Sequence, residues 1–269
     1  MRVLWVFAHP ERDSLNAALR DEGLAALRDG GHDVVVSDLY AMKWKAIVDR
    51  DDFTDECGTP LVITAASRRA YENGTLAADV RAEQRKIDQA DALVLQFPLW
   101  WYGMPAILKG WIDRVFVKGY AYGVRDLRDP SRTLRYGDGK LTGKRALVIT
   151  TTGSSAPALG PRGINGELDQ VLFPLLHGTL WYTGMSVLPP VAVHGADRVD
   201  DDVYRAAADL VRRRVADIGR STPIAYRRQN GGDYDTDLVL RDHLAPGATG
   251  LAVHVGDHTG RIDGHNAPD

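Results

Sequence analysis

Three stretches of this chain gather residue types that bind and react rather than merely pack. The first, AHPERDSLN at 8–16, sets His9, Arg12, Ser14 and Asn16 directly ahead of a helical pattern. Side-chain donors, backbone N–H groups and the helix dipole converge there on an anion. The plainer alternative is that Ser14 only caps the helix. The stretch lacks the G-x-G-x-x-G by which an ordinary dinucleotide fold brings a pyrophosphate onto bare backbone. The second, FPLWWYGMP at 97–105, carries three successive large aromatics, Trp100, Trp101 and Tyr102, on a turn. Such rings are costly to leave wet. A flat ring system stacked on Trp101 or Tyr102, with turn N–H groups bonded to its polar edge, removes that cost, and so does burial between subunits. The third, TTTGS at 150–154, offers the hydroxyls of Thr150, Thr151 and Thr152 and close backbone approach at Gly153, a chemistry that common turns also use.

The elements that must position these stretches follow from hydrophobic spacing. Residues 3–8 form an apolar run of strand length, and 16–28 have helical spacing closed by Gly30 and Gly31. Further strands are expected at 32–37, 92–97, 145–151 and 185–193, and helices at 78–90, at 106–115 behind Pro105, at 167–177 and at 200–218. Nearly all-apolar strands alternating with helices predict an α/β fold: a doubly wound five-stranded parallel sheet with helices on both faces. In such a sheet the ligand site lies beyond the carboxyl ends of the strands, where the three stretches fall. Beyond Thr222 and Pro223 the pattern turns polar, glycine-rich and irregular. This divides the chain into a domain at 1–222 and a C-terminal extension at 223–269.

Composition narrows the partners. The chain has 269 residues, 44% hydrophobic and 26% charged, with a net charge of −3, so it can bury a full core and has no polyanion-binding surplus of cations. No nucleic-acid partner is expected. The apolar run at 92–117 is broken by Gln96, Pro98, Pro105 and Lys109 short of the ~20 residues a membrane span needs, so no membrane insertion is expected. A single cysteine, Cys57, excludes an intrachain disulfide and a multi-cysteine metal site, and suits a reducing, cytoplasmic setting. No metal site is expected.

The sequence resembles the NAD(P)H:quinone oxidoreductase (DT-diaphorase) family over almost its whole length. The resemblance is carried by AHPERDSLNAAL at 8–19, SDLYAM at 37–42, the stretch at 70–116 with its QFPLWWYGMPAILKGW core, ITTTGS at 149–154, GINGE at 163–167 and GLAVHVGDHTG at 250–260. It implies a flavodoxin-like fold and a flavoprotein that binds FAD, FMN being the lesser alternative, with NAD(P)H as co-substrate. It implies that His9, Ser14, Leu15 and Asn16 hold the FAD pyrophosphate and ribose. By the same resemblance, Pro98, Leu99, Trp100, Trp101 and Tyr102 line the isoalloxazine, and Thr150, Thr151, Thr152 and Gly153 bind its pyrimidine edge. Trp101, Tyr102, Tyr122, Tyr182 and His194 would meet the substrate, Tyr122 and Tyr182 across a homodimer with shared active sites. The tail would add to the dimer surface. The implied reaction is ping-pong hydride transfer from NAD(P)H through flavin N5 to a quinone or related aromatic, conjugated acceptor.

One departure stands out. Similar family members place a Tyr-x5-His pair after strand four, whereas this chain reads SSAPALGPRGING at 154–166, putting Asn165 at the histidine position and Leu159, or Ala158, at the tyrosine position. Leucine donates nothing and asparagine carries no transferable proton, so the relay is replaced by backbone N–H groups at Thr152 and Gly153 with Asn165 as a neutral donor. Two other readings stay open. One is an FMN reductase or tailoring reductase of an aromatic metabolite; the other is an ancillary flavoprotein subunit regulating a transporter.

Overall fold

The structure is a computed structural model and describes residues 1–54 and 57–256; the end of the GLAVHVGDHTG stretch lies outside the described residues. Strands form at Arg2–Phe7 (β1), Asp33–Asp38 (β2), Ala92–Pro98 (β3), Arg145–Thr152 (β4), Ser186–Val187 (β5) and Val191–His194 (β6). All pair in parallel, in the order β2-β1-β3-β4-β5, with β6 also on β4. The expected strand at 185–193 is therefore two short pieces on one edge. Pro189 and Pro190 have no N–H to give the ladder, so pairing stops at Val187 and resumes at Val191.

Helices occupy Leu15–Asp29 (α1), Ile63–Asn73 (α2), Ala78–Gln89 (α3), Ala106–Val115 (α4), Leu168–Leu175 (α5) and Asp201–Ala216 (α6). The α2 helix has no counterpart in the hydrophobic spacing, because its buried face is the small set Ala66, Ser67 and Ala70 and no side chain caps its start. The helix expected at 167–177 relaxes after Leu175 into a π-helical turn at Leu176–Trp181. Pro174 inside α5 removes one i→i−4 bond and loosens the ladder there.

The sheet separates two cores. On one face Val3, Trp5, Ile149 and Val193 pack against α1 and α6; on the other Leu4, Leu95 and Val148 pack against α3, α4 with its Trp111, and α5. Burial of both faces explains why β3 is buried at every position. Gln96 is the polar exception within it. Its amide donates to the Asn16 carbonyl at 2.7 Å and its Oε1 accepts from Trp5 Nε1 at 3.0 Å, which ties the start of α1 to β3.

Ile224 and Tyr226, past the last helix, are buried against this core, and the Ile224 N–H donates to the Val187 carbonyl at 2.8 Å. Among the described residues no helix is long and apolar enough to cross a membrane, and no group of three or more His, Cys, Asp or Glu is placed to hold a metal ion.

Candidate active site

The carboxyl ends of β1, β3 and β4 present the three stretches side by side. In the first, Ser14 caps α1, its Oγ accepting from the Ala17 N–H at 3.2 Å and donating to the Glu11 carbonyl at 2.8 Å. The Ser14 cap uses the Ala17 N–H and leaves the preceding N–H groups of the first turn. The N–H groups of Leu15 and Asn16 make no backbone bond among the described residues, and the first turn carries no acidic side chain. The positive end of the helix dipole is thus left for an external anion. The Glu11 N–H reaches His9 Nδ1 at 3.1 Å, and the His9 ring stands 6.4 Å from Trp100, linking this loop to the next.

In the second stretch, Trp100 and Gly103 exchange reciprocal N–H to carbonyl bonds, both 3.0 Å, around Trp101 and Tyr102. Both central residues are left-handed, φ 49° and 60°, the geometry of a type I′ turn that normally selects Asn and Gly. Two bulky aromatics held there store strain, which marks ligand clamps and active sites. Their N–H groups bond to nothing in the described chain. Trp101 is 97% exposed, so its ring is presented rather than packed. Leu99 is pinned behind the turn, its N–H donating to the Thr151 carbonyl at 2.8 Å, and Pro98 is buried at the strand end.

The third stretch closes the floor. Thr150, Thr151 and Thr152 are all buried; the Thr150 hydroxyl donates to the Phe97 carbonyl at 2.9 Å, and Thr151 Oγ1 accepts from Asn16 Nδ2 at 2.8 Å. Asn16 Oδ1 is buried with no partner, an acceptor whose desolvation a ligand hydroxyl would offset. The N–H of Gly153 is uncommitted in the described chain, and the Asp197 carboxylate lies against its α-carbon.

Asn165 is held between the loops. Its Oδ1 accepts from the Tyr102 hydroxyl at 2.9 Å and its Nδ2 donates to Ser154 Oγ at 3.1 Å. Leu159 is buried in the short turn Pro157–Leu159 below it. Ser154, the last residue of the TTTGS stretch, joins the site through Asn165. Asp197 joins it beside Gly153, and the sequence reading missed it because an aspartate at a loop position carries no signal of its own.

Not every expected residue gathers here. Tyr136, Tyr182 and Tyr122 form a separate group: the rings of Tyr136 and Tyr182 meet edge-on at 5.0 Å, and burial, with the neighbouring Tyr182, pushes the Tyr122 phenol up against the pull of Ser67. Neither Tyr122 nor Tyr182 has a ring contact with Trp101 or Tyr102 of the same chain among the described residues. His194 ends β6 opposite Thr152, with Nδ1 buried and unpartnered; burial pushes its imidazole down, opposed by the Ser154 carbonyl. The loop at 125–135, with Arg125, Arg128, Arg132 and Arg135, is mostly satisfied internally, Arg125 by the Pro130 carbonyl at 2.8 Å and Arg132 by Asp138 at 3.2 Å.

A family model described as Flavodoxin-like fold matches residues 1–215. The chain belongs to this family. Among curated proteins it is 44% identical over 258 residues to the Ribosyldihydronicotinamide dehydrogenase-like protein traD of Penicillium crustosum, covering 95% of this chain and 96% of that one. It is 37% identical over 266 residues to NAD(P)H dehydrogenase [quinone] 1 of Cavia porcellus, covering 97% and 94%. A crystal structure provisionally assigned as a quinone reductase from Klebsiella pneumoniae superposes with a TM-score of 0.92 at 47% identity, covering 95% of this chain and all of that one. These relatives are oxidoreductases, and this flavodoxin-like protein shares their enzyme class and the quinone oxidoreductase family that its motifs resemble.

Proposed function

We propose that this chain is an FAD-dependent NAD(P)H oxidoreductase working by a ping-pong cycle on quinones or related conjugated aromatic acceptors, as a cytoplasmic homodimer. The observation that carries the reading is the strained turn at Trp101 and Tyr102. It sets two flat rings and two uncommitted N–H groups at the carboxyl edge of the sheet, between the open end of α1 and the N–H of Gly153. A ligand fitted to this edge must be flat, carry hydrogen-bond acceptors on opposite rims, and end in an anionic tail, which describes a flavin nucleotide.

The flavin, when bound, supplies the hydride chemistry, accepting at N5 from NAD(P)H and giving to the acceptor. The Leu15 and Asn16 N–H groups, with the dipole of α1, bind the pyrophosphate, while Ser14 and His9 fix the loop that presents them. Trp101 and Tyr102 exclude water from one side of the ring and orient it. The N–H of Gly153 and the floor of Thr150, Thr151 and Thr152 face the pyrimidine edge, where the chemistry places negative charge. Asn165 takes the Tyr102 proton in a hydrogen bond and holds that ring in place, a positioning role that needs no proton transfer. Tyr122 and Tyr182 stand apart from their own Trp101, which supports their reaching the partner's site, His194 lying nearer the acceptor.

Two measurements test the reading. Flavin released by acid and resolved by chromatography separates FAD from FMN; FAD is expected, and FMN would favour the flavin-reductase alternative. Turnover of NADH and NADPH against a quinone panel should exceed turnover without acceptor, and no turnover with any quinone would contradict the substrate class.

A further inference from the structure

A second cavity, of about 330 Å³, opens between α5, the π-helical turn and the segment after Ile224. Its walls are aromatic and imidazole rings, chiefly Tyr136, Phe173, His177, Tyr234 and His254, with the Arg227 guanidinium at one side. None of these residues belongs to the flavin loops. The rings form a ladder of near-parallel planes: Phe173 on His177 at 4.5 Å and 18°, Tyr136 on His177 at 5.0 Å and 29°, His177 on His254 at 5.7 Å and 30°, and His254 on Tyr234 at 5.9 Å and 21°. Such a wall extends naturally onto one more flat ring, and the volume lies at the lower end of the range of small-molecule sites.

Charge narrows the ligand. Burial, and the neighbouring His254, push His177 down to about 4, and burial with Arg227 pushes His254 down. The imidazoles are therefore neutral at pH 7, and what charge the wall carries comes from Arg227, held by Asp233 at 2.9 Å and by the Val253 carbonyl at 3.0 Å. Asp233 offsets part of that charge, but among the described residues no carboxylate lines the cavity itself, so a cation is disfavoured here despite the aromatic lining. The Oε1 of Gln229 is taken by Arg135 Nε at 2.6 Å, which leaves the Gln229 amide N–H groups as donors in the wall. The ligand the wall asks for is flat, uncharged or anionic, and equipped with an oxygen acceptor.

Backbone strain points the same way. Six non-glycine residues have positive φ among the described residues; Trp101 and Tyr102 form the flavin turn, and Tyr136 at 47° and Leu238 at 64° both line this cavity. Strain of this kind persists where the surrounding structure holds a ligand-facing residue in place.

We propose that this cavity is a second, non-catalytic binding site for a flat aromatic molecule of one or two rings bearing a carbonyl, phenolic or carboxylate oxygen. It lies outside the loops at 8–16, 97–105 and 150–154, although Tyr136 in its wall meets Tyr182 at 5.0 Å, and it does not rest on the flavin reading.

Gly178 provides the test. It lies in the cavity wall, and a Cβ there would meet no atom within 4 Å, so Gly178→Leu fills the cavity without a backbone clash. Calorimetric titration of the purified protein with 2-naphthol should show a site whose affinity falls at least tenfold in Gly178→Leu, with thermal melting and flavin content unchanged. Trimethylphenylammonium should not bind this site. Nuclear Overhauser contacts from 2-naphthol to the imidazole protons of His177 and His254 give a readout independent of any variant. Absence of those contacts, a titration unaffected by Gly178→Leu, or tighter binding of the ammonium probe would overturn the site. Because the site is counted by its sensitivity to Gly178→Leu, a protein without flavin would sink the proposed function and leave this test intact.

Discussion

At the scale of single residues, Asn165 carries the sharpest consequence. It bridges the Tyr102 hydroxyl, which donates to its Oδ1, and Ser154 Oγ, which accepts from its Nδ2. Asn165→Leu should leave flavin content unchanged and slow flavin reduction by NAD(P)H about tenfold to a hundredfold, read by single-turnover kinetics, the order lost when a positioned ring such as Tyr102 is misplaced. Asn165→His should introduce a pH dependence near the ordinary imidazole value of ~6.5 that the natural chain lacks; a flat profile in that variant would place residue 165 away from the reacting edge. His177 gives a stability prediction. Its folded value near 4 lies below the unfolded ~6.5, so the unfolded chain takes up the proton first as pH falls. Stability contributed by neutral His177 is complete above pH ~6.5 and is lost progressively down to about 4, by up to ~3 kcal/mol. Asp169, raised to about 6 by burial and then by Glu167, works in the opposite sense, gaining below that pH. The difference in Tm between the natural chain and His177→Gln across pH 4 to 7 isolates the histidine, and no difference would contradict its burial as a neutral ring. The sequence made His9, Ser14, Asn16 and the Trp101–Tyr102 pair legible because their types are out of place in a core. It could not show the Asn16 to Thr151 bond, which joins residues far apart in the chain.

At the scale of elements, α4 follows directly from the aromatic turn, so whatever fixes α4 fixes the flavin cradle. Arg114 does much of this. Its side chain is 2% exposed and bonds Asp52, 4% exposed, at 2.8 Å and Asp79 at 2.7 Å while stacking on Trp44 at 4.6 Å. Lys45 also reaches Asp52, at 3.3 Å, from the edge of the network. Arg114→Ala leaves a buried carboxylate short of its main partner, a loss of about 3–5 kcal/mol, equivalent to roughly 10 °C in Tm for a chain of this size. Melting of the purified variant checks it, and a shift within a degree or two would show that Lys45 alone compensates. Gly110 on the same helix is equally constrained, since a Cβ there would stand 2.1 Å from the Ala46 carbonyl oxygen. Gly110→Ala should cost about 1–3 kcal/mol by overpacking. The elements that the sequence expectation located best, β1, β3, β4 and α4, are the ones with long apolar runs or helical spacing. It missed α2, whose buried face is small residues, and it joined β5 to β6 across two prolines whose missing N–H groups split them.

At the scale of the whole molecule, four of the exposed apolar side chains lie on the site loops or next to Asn165. Trp100 and Tyr102 are about half exposed and Trp101 and Ile164 almost fully so, a surface of the kind that marks a ligand or partner site. The proposed shared-site dimer has a direct test by complementation. A subunit carrying Trp101→Ala and Tyr102→Ala, refolded with one carrying Tyr122→Ala and Tyr182→Ala, should regain activity above either parent, since a mixed dimer then holds one intact site. No recovery, or a monomer in sedimentation, would contradict sharing. The parallel sheet and its two covered faces were readable from strand and helix periodicity, whereas what covers the exposed aromatics was not, because they look the same in sequence whether a ring or a protein covers them. The central claim is that the three loops hold a flavin that NAD(P)H reduces and a quinone reoxidises. Anaerobic stopped-flow of the purified protein measures this most directly. NAD(P)H should bleach the bound flavin in a single turnover, and an added quinone should restore its colour. A colourless protein that cannot be reconstituted with FAD or FMN, or a bound flavin that NAD(P)H leaves oxidised, would contradict it.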